Sequence, residues 1–125
     1  MSHFTTINTR IKDIDALQSA CAELGLPVEA NTRARGYAGN TLHGDHVIRL
    51  NGPYDVALRQ EPNGQYSLHA DLWNGHVEKE LGKNFGRLKQ LYGIHKATAE
   101  ARRKGLSVRR RQLPNGTVRL ALCRV

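Results

Sequence analysis

Two Asn-Gly dipeptides, each set between stretches that alternate apolar and polar residues, constrain the fold of this 125-residue chain more than any other feature. An Asn-Gly pair between such stretches is the strongest short-range signal of a β-hairpin. Asn63-Gly64 and Asn115-Gly116 therefore each predict a β-hairpin. The strands of these two hairpins are predicted at 54–60, 65–70, 106–112 and 117–125. Because hairpin strands run in opposite directions, the chain is expected to build an antiparallel sheet.

Helical periodicity appears in two further stretches. A first helix is predicted at 13–24, where Asp13 can accept amide protons of the first turn and Gly25 supplies the stop. A longer helical pattern runs over 77–99 and stops at Gly105, although glycines weaken its first half. Further strands are predicted at 3–11, 28–35 and 45–50. This order of elements predicts the α+β class, with a single antiparallel sheet and two helices packed on one face.

Chain length and composition predict a single domain, 1–125. Hydrophobic residues make up 39% of the chain and charged residues 24%, an ordinary balance for a protein that buries a core. No apolar stretch approaches the roughly 20 residues that cross a bilayer. The N-terminus also lacks the basic and apolar segments of a signal peptide, so a cytoplasmic protein without membrane contact is expected. Cys21 and Cys123 lie among apolar neighbours and are expected to be reduced and buried.

The net charge of +8 is concentrated toward the C-terminus. Residues 63–125 carry thirteen basic and four acidic side chains, whereas residues 1–62 carry six basic and seven acidic ones. From Arg102 onward there are eight basic side chains and no acidic one. Such asymmetry concerns the partners of a protein rather than its fold.

Strand alternation directs part of this charge to one face of the closing hairpin. Arg109, Arg111 and Arg119 are predicted to point to solvent, near Arg102 and Arg103 at the end of the long helix. The positions predicted to point inward are Leu106, Val108, Val118, Leu120 and Leu122. These arginines favour contact with an acidic protein partner. The alternative is binding to an RNA or DNA backbone, where arginines neutralise phosphates, but the stretch lacks the aromatic residues of a single-strand platform.

The glycine-rich stretch 35–41 is predicted to be a loop and offers a second candidate surface. Glycines let backbone amides approach an anion, and Arg35 stands beside them to pair with it. The stretch is not a P-loop, because no Gly-Lys-Ser/Thr follows. If the loop is ordered, Tyr37, Tyr54 and Trp73 form an aromatic patch for a partner, although Trp73 is itself expected in the core.

Catalytic and metal-binding patterns are sparse. His43, Asp45 and His46 lie within four residues and are all of metal-binding types, but their spacing matches no common zinc pattern. His69 is interpreted as a structural strand residue and Asp71 as a helix N-cap. Because the chain has neither Gly-x-Ser-x-Gly nor Cys-x-x-Cys, we expect no enzyme activity, no metal and no cofactor. A metal-dependent enzyme near His43, His46 and Asp71 is the least favoured alternative.

Six segments carry a family resemblance. They are Met1-Ser-His-Phe-Thr-Thr-Ile7, Arg35-Gly-Tyr-Ala-Gly-Asn-Thr41, Tyr54-Asp-Val56, Ala70-Asp-Leu-Trp73, Tyr92-Gly-Ile-His-Lys96 and Asn115-Gly-Thr-Val-Arg-Leu120. Together, and in this order, they resemble the hypothetical chloroplast reading frame thirty-five family of plastids, cyanobacteria and other bacteria. That family has no established activity, so the resemblance implies no catalytic residue.

The resemblance implies partners and a location instead. Bacterial relatives are encoded beside an AAA-type ATPase and a second small protein, which implies membership of an assembly. A plastid-encoded member would act in the plastid stroma. The closing hairpin departs from the family pattern, because relatives tend to carry acidic residues where this chain has Arg109-Arg-Arg111.

Overall fold

The structure is a computed structural model that describes residues 3–124. Its strands are β1 (Phe4–Asn8), β2 (Val28–Arg35), β3 (Thr41–Ile48), β4 (Val56–Gln60), β5 (Tyr66–Asp71), β6 (Leu106–Gln112) and β7 (Val118–Arg124). Its helices are α1 (Ile14–Glu23), α2 (His76–Leu81) and α3 (Gly86–Arg103). The predicted end of the last strand, Val125, lies outside the described residues. No helix within residues 3–124 is long and apolar enough to span a membrane.

The strands form two antiparallel sheets. The main sheet has the order β1-β5-β4-β3-β2, and β6 pairs only with β7. We call the β6–β7 pair the C-terminal ribbon. The α+β class is confirmed, and the closing hairpin forms this second sheet beside the main one.

The helix α1 begins and ends where the sequence predicts. The carboxylate of Asp13 accepts a hydrogen bond from Ala16 N at 3.1 Å, which satisfies one of the free amide groups of the first turn. Gly25 ends the helix with φ at +74°, a left-handed conformation that other residues rarely adopt. The buried side of α1 includes Leu17 and Cys21.

The second predicted helix is interrupted. Gly82 has φ at +84°, and a Cβ built there would lie 2.8 Å from Arg87 N. The chain therefore leaves α2 at Gly82, makes a 3-10 turn over Lys83–Phe85 and starts α3 at Gly86. The glycines that weaken the first half of the helical pattern mark this interruption.

The core lies between the helices and one face of the main sheet. Cross-strand pairs such as Ile48–Val56 and Leu58–Leu68 turn their side chains toward this core. From the helices, Leu17, Leu81, Phe85 and Leu88 are almost completely buried against them. Burial of such side chains supplies most of the favourable free energy of folding.

The opposite face of the main sheet carries a second, smaller cluster. Ala34, Val47 and Ala57 are completely buried there, with Phe4 and Leu42 packed against them. The whole of β5 is buried, so its polar residues on this face are removed from water together with its apolar residues on the other. The buried polar residues of β5 are Ser67, His69 and Asp71. This face therefore needs internal hydrogen bonds for its polar groups.

The C-terminal ribbon packs along α3. Val118 and Leu120 contact the main core from the ribbon's inner face. Leu122 lies on the same face by its pairing with Val108, yet it is 54% exposed. Leu122 therefore lies on the predicted inner face, but the expectation that it contributes to the core is wrong.

The two cysteines lie in different environments. Cys21 is buried in α1, and burial raises the pKa of its thiol to about 12. Cys123 is exposed on the ribbon, so the prediction of burial is wrong for this residue. Both thiols are free, as expected.

Gly44 is the glycine whose replacement the core tolerates least. A Cβ at this position would lie 2.6 Å from His46 O, 3.0 Å from Ala57 Cβ and 3.1 Å from Leu58 N, and backbone atoms cannot move aside cheaply. We expect Gly44→Ala to lower the free energy of unfolding by about 1–3 kcal/mol. Urea denaturation followed by circular dichroism measures this change.

Gly93, inside α3, is the matched control for this prediction. A Cβ there meets no atom within 4 Å, and alanine is the better helix former. We expect Gly93→Ala to raise the free energy of unfolding by about 0.5–1 kcal/mol. Equal effects of the two substitutions would contradict the close packing around Gly44.

Candidate functional site

The outer face of the C-terminal ribbon gathers three arginines. Arg111 pairs directly with Arg119 across the ribbon, and Arg109 pairs with Ala121. Directly paired residues and residues two apart share a face of a β-sheet, and all three arginines are exposed. The register therefore places these side chains together, as strand alternation predicts. We call Arg109, Arg111 and Arg119 the arginine face.

Folding does not account for the arginine face. Within the described residues, none of its three guanidinium groups makes a hydrogen bond or an ion pair. Like charges directly opposite each other on a sheet, here Arg111 and Arg119, destabilise it. These groups remain available to bind carboxylates or phosphates with charge-assisted hydrogen bonds.

The inner face of the ribbon holds a different arginine. Arg110 donates from Nη1 and Nη2 to the two carboxylate oxygens of Glu23 in α1, at 2.8 and 2.7 Å. His95 Nε2 of α3 lies 2.8 Å from the same carboxylate. Hydrogen bonding by Arg110, with a smaller effect of His95, lowers the pKa of Glu23 to about 2. This cluster joins α1, α3 and β6, and it therefore fixes the ribbon against the helices.

Sequence reasoning missed Arg110, although one signal was present. The alternation that sends Arg109 and Arg111 outward sends Arg110 inward, between Val108 and Gln112. A charged side chain among inward positions requires a counter-charge. Its partner, Glu23, is 87 residues away in the chain, so only the structure identifies it.

Arg102 and Arg103 lie in the last turn of α3. Two residues, Lys104 and Gly105, connect this turn to the start of β6. Both arginines are exposed. They complement the negative end of the helix dipole.

In the structure, the Arg35 side chain binds a carboxylate of the protein itself. Its Nε and Nη2 atoms each donate to a carboxylate oxygen of Asp55 at 2.8 Å, and Nη2 also donates to the carbonyl groups of Leu50 and Gly52. Asp55 has no exposed surface. The charge that was a candidate for an external anion therefore balances a buried carboxylate.

The rings of the predicted aromatic patch meet at one end of the main sheet, but Tyr54 is only 6% exposed and belongs to the core, so the prediction that it offers a surface to a partner is wrong. The rings of Tyr37 and Trp73 meet edge to face with centroids 5.2 Å apart. His76 lies 6.1 Å from Trp73 and 5.1 Å from Tyr54, so the four rings make a continuous row. Trp73 is 48% exposed, which shows that the expectation of a core tryptophan is wrong.

Asp71 fixes the two turns that carry this row. Its carboxylate accepts hydrogen bonds from Tyr37 N at 3.2 Å and from Trp73 N at 3.0 Å, and it is 1% exposed. Each turn contains a residue other than glycine at positive φ, Ala38 at 54° and Asn74 at 58°. Asp71 thus stabilises a turn before α2 by accepting from the residue two positions on, rather than capping α2 itself.

The three metal candidates have separate partners. His43 Nε2 lies 2.6 Å from Asn31 Oδ1, and the Asp45 carboxylate accepts a hydrogen bond from Gln60 N at 2.9 Å. The His46 ring packs edge to face against Tyr66. Within residues 3–124 no three His, Cys, Asp or Glu side chains are placed to hold a metal ion. The hydrogen bonds of His43 and Asp45 therefore join β3 to its neighbours β2 and β4.

A polar chain of hydrogen bonds on β5 was not predicted. His69 Nδ1 lies 2.9 Å from Thr6 Oγ1, and His69 Nε2 lies 2.9 Å from Ser67 Oγ. The Ser67 hydroxyl donates to Glu61 at 2.6 Å. Burial, with the charge of Arg59, lowers the pKa of His69. A serine beside a histidine is typical of nucleophilic catalysis, but Ser67 has no exposed surface for a substrate to reach.

Comparison with known proteins defines the class of this chain. Residues 20–121 match the family described as protein of unknown function DUF1257, and the chain belongs to that family. It is 32% identical to the uncharacterized protein ycf35 of Guillardia theta, over 99% of this chain and 98% of the relative. It is 29% identical to the uncharacterized protein ycf35 of Pyropia yezoensis, over 84% and 82%. These relatives confirm the family resemblance. No solved structure matches the chain.

Proposed function

We propose that this protein is a non-enzymatic binding module of a multi-protein assembly, and that the arginine face contacts an acidic surface of a partner protein. One observation carries the proposal. Three guanidinium groups share a face on which no acidic side chain among residues 3–124 balances them, and two of them oppose each other directly. This arrangement does not stabilise the folded protein by itself. A partner that supplies carboxylates would pair with the arginines and stabilise the complex.

The composition of the outer face favours a protein partner over nucleic acid. Besides the arginines, this face carries Ser107, Ala121 and Cys123, which are small and offer no ring for a base to stack on. The aromatic row of Tyr37 and Trp73 belongs to a different part of the fold, at the end of the main sheet. A groove that binds single-stranded nucleic acid combines basic and aromatic side chains, whereas here the aromatic rings and the arginine face lie apart.

The family resemblance supplies candidate partners for this face. They are the AAA-type ATPase and the second small protein encoded beside bacterial relatives. The same proposal places the protein in the cytoplasm, or in the stroma of a plastid that encodes it. An acidic patch on one of these partners would meet the arginine face with complementary charge, which raises the rate of association and fixes its orientation.

Charge reversal tests the contact. We expect the triple variant Arg109→Glu, Arg111→Glu and Arg119→Glu to weaken partner binding about a hundredfold, since each reversed interfacial charge costs on the order of 1 kcal/mol. A pull-down with quantitative mass spectrometry measures partner recovery. Titration of the purified partner by calorimetry then gives the affinity directly.

The matched control reverses three exposed lysines outside the ribbon. The variant carries Lys12→Glu, Lys79→Glu and Lys83→Glu, and its net charge is equal to that of the test variant. We expect it to retain the affinity of the wild type within about threefold, because charges outside a contact act only through screened, long-range potentials. Equal partner recovery with the wild type and the arginine-face variant would disprove the proposed contact.

A labelled oligonucleotide distinguishes the alternative function in the same variants. Binding to duplex DNA that neutralises Z phosphates gives a log–log salt slope of about −0.9Z. We expect no saturable binding at 150 mM salt. If the wild type binds with such a slope and the arginine-face variant flattens it, the ligand of this face is nucleic acid.

A further inference from the structure

A cleft of about 550 Å³ lies between the loop that follows β1 and the first turns of α3. The buried residues Ile11 and Tyr92 form its apolar floor. Arg10 from the loop and Lys89 from the helix stand at its rim, and none of the described residues that line it is acidic. The size falls within the range of small-molecule sites, about 300–1,000 Å³.

The walls of this cleft are fixed by hydrogen bonds before any ligand binds. Thr9 Oγ1 donates to Tyr66 O at 2.6 Å and accepts from Ile11 N at 3.1 Å. Tyr66 N donates to Ile11 O at 2.8 Å, which ties the loop to β5. The Tyr92 hydroxyl accepts from the backbone N–H groups of residues 12 and 13, each at 3.1 Å. Preformed walls lower the entropic cost of binding.

Neither cation at the rim serves the fold. Within residues 3–124, Arg10 and Lys89 make no hydrogen bond or ion pair. Lys89 also stands at the end of the first turn of α3, where the helix dipole disfavours a positive charge, and this turn has no acidic residue to offset it. The side-chain amides of Asn8 and Gln65 add uncharged donors to the same lining.

We propose that this cleft binds a small organic anion with an apolar or aromatic body. The anionic group, a phosphate, sulfonate or carboxylate, pairs with Arg10 and Lys89, and the body rests on Ile11 and the ring of Tyr92. A ligand with both an anionic group and an apolar body matches the cations of the rim and the apolar floor together. An inorganic anion would leave the floor exposed, and a neutral ligand would leave the cations unpaired. The site is independent of the arginine face.

Three probes separate the two parts of the proposed recognition. They are 1-naphthyl phosphate, inorganic phosphate and 1-naphthol, titrated into isotopically labelled protein at 150 mM salt and followed by NMR. We expect 1-naphthyl phosphate to bind saturably, with shifts at the amides of Thr9, Ile11, Gln65 and Tyr92. Inorganic phosphate and 1-naphthol should each bind at least about tenfold more weakly, because each makes only part of the contacts.

Substitution of the rim tests the role of charge. We expect Arg10→Ala with Lys89→Ala to weaken 1-naphthyl phosphate about a hundredfold, roughly tenfold for each lost charge-assisted hydrogen bond. Lys83→Ala with Arg124→Ala removes the same charge from exposed sites outside the cleft and should leave the affinity unchanged. The arginine-face variant should also bind normally, which separates this site from the proposed protein contact.

Two results would overturn the proposal. One is saturable binding whose affinity is the same in the wild type and in the rim double variant; the other is a shift pattern centred outside the cleft. Both rim side chains are exposed, so the double variant is expected to fold, and its thermal melt verifies this. If it does not fold, Lys89→Gln alone should still lower the affinity about tenfold.

Discussion

Asp55→Ala is expected to lower the free energy of unfolding by about 3–5 kcal/mol, the cost of removing one partner from a buried charge cluster. The Asp55 carboxylate accepts five hydrogen bonds: two from the Arg35 side chain, one from Arg35 N, one from Arg49 Nη1 and one from Leu50 N. Without it, the two guanidinium groups lose the charge that balances them. A loss of this size is a large part of the 5–15 kcal/mol that stabilises an ordinary domain.

The contribution of Asp55 should depend on pH. Burial alone would raise the pKa of Asp55, but the hydrogen bonds and the charge of Arg35 outweigh it and hold the pKa below its ordinary value. A carboxyl group with a lowered pKa in the folded state stabilises the protein fully above its unfolded pKa, about 3.9, and loses this effect as the pH falls through its folded pKa. We therefore expect the difference between wild type and Asp55→Ala to be constant from pH 7 to pH 5 and to shrink below pH 4.

Glu29 provides the matched control for Asp55. It accepts a hydrogen bond from Arg49 Nε at 3.0 Å, but its side chain is 52% exposed. An exposed ion pair contributes about 0–1 kcal/mol, so Glu29→Gln should change stability little. Urea denaturation at several pH values measures both variants. A loss below about 1 kcal/mol for Asp55→Ala would contradict the buried network.

Local signals in the sequence were sufficient for most of the main fold. Asn63-Gly64 and Asn115-Gly116 fix hairpins because their effect acts within a few residues. Asp13 and Gly25 bound α1 for the same reason. The separation of the ribbon from the main sheet was not predictable in this way, because alternation specifies which side of a strand is apolar and does not specify which strand lies beside it.

The buried polar residues show where local patterns fail. In β5, Ser67, His69 and Asp71 alternate with apolar residues, and this alternation is typical of a strand with one face exposed to solvent. The structure buries both faces, since Ala57 and Phe4 pack on the side where solvent was expected. Some hydrogen-bond partners of these polar residues come from distant segments, since Thr6 lies 63 residues from His69 and Tyr37 lies 34 residues from Asp71, and no local rule identifies these two.

The candidate sites also differ in whether local sequence could predict them. The arginine face follows from alternation within one hairpin, so the sequence predicted it residue by residue. Arg35 was a candidate partner for an external anion, because its actual partner, Asp55, lies 20 residues away in the chain and the local sequence does not identify it. The rim of the cleft brings Arg10 and Lys89 together from segments 79 residues apart, and nothing in either segment indicates the other.

Asp71→Ala is expected to release the aromatic row as well as to destabilise the protein. Two backbone N–H groups, of Tyr37 and Trp73, lose their acceptor, and each unsatisfied buried donor costs about 1–3 kcal/mol. We expect a loss of about 2–4 kcal/mol in total. Asp71→Asn should also destabilise, because its amide can offer an acceptor to one of these donors and presents an N–H to the other.

Trp73, the only tryptophan of the chain, reports the local effect without a label. In the wild type its backbone is held by Asp71 and its ring by Tyr37, so its fluorescence anisotropy should be high for an exposed indole. In folded Asp71→Ala we expect lower anisotropy and a red-shifted emission, because the turn at Asn74 is no longer stabilised at positive φ.

Asp45→Ala is the control that separates this release from a general loss of stability. Asp45 also accepts a backbone hydrogen bond, from Gln60 N, but it is exposed and distant in sequence from both aromatic turns. It should leave the emission of Trp73 unchanged. Unaltered anisotropy in Asp71→Ala, with the fold retained, would mean that ring contacts alone position Trp73. A drop in the anisotropy of Trp73 would show that the buried Asp71 carboxylate holds both aromatic turns in place. The exposed Trp73 ring would then already be positioned before a partner binds.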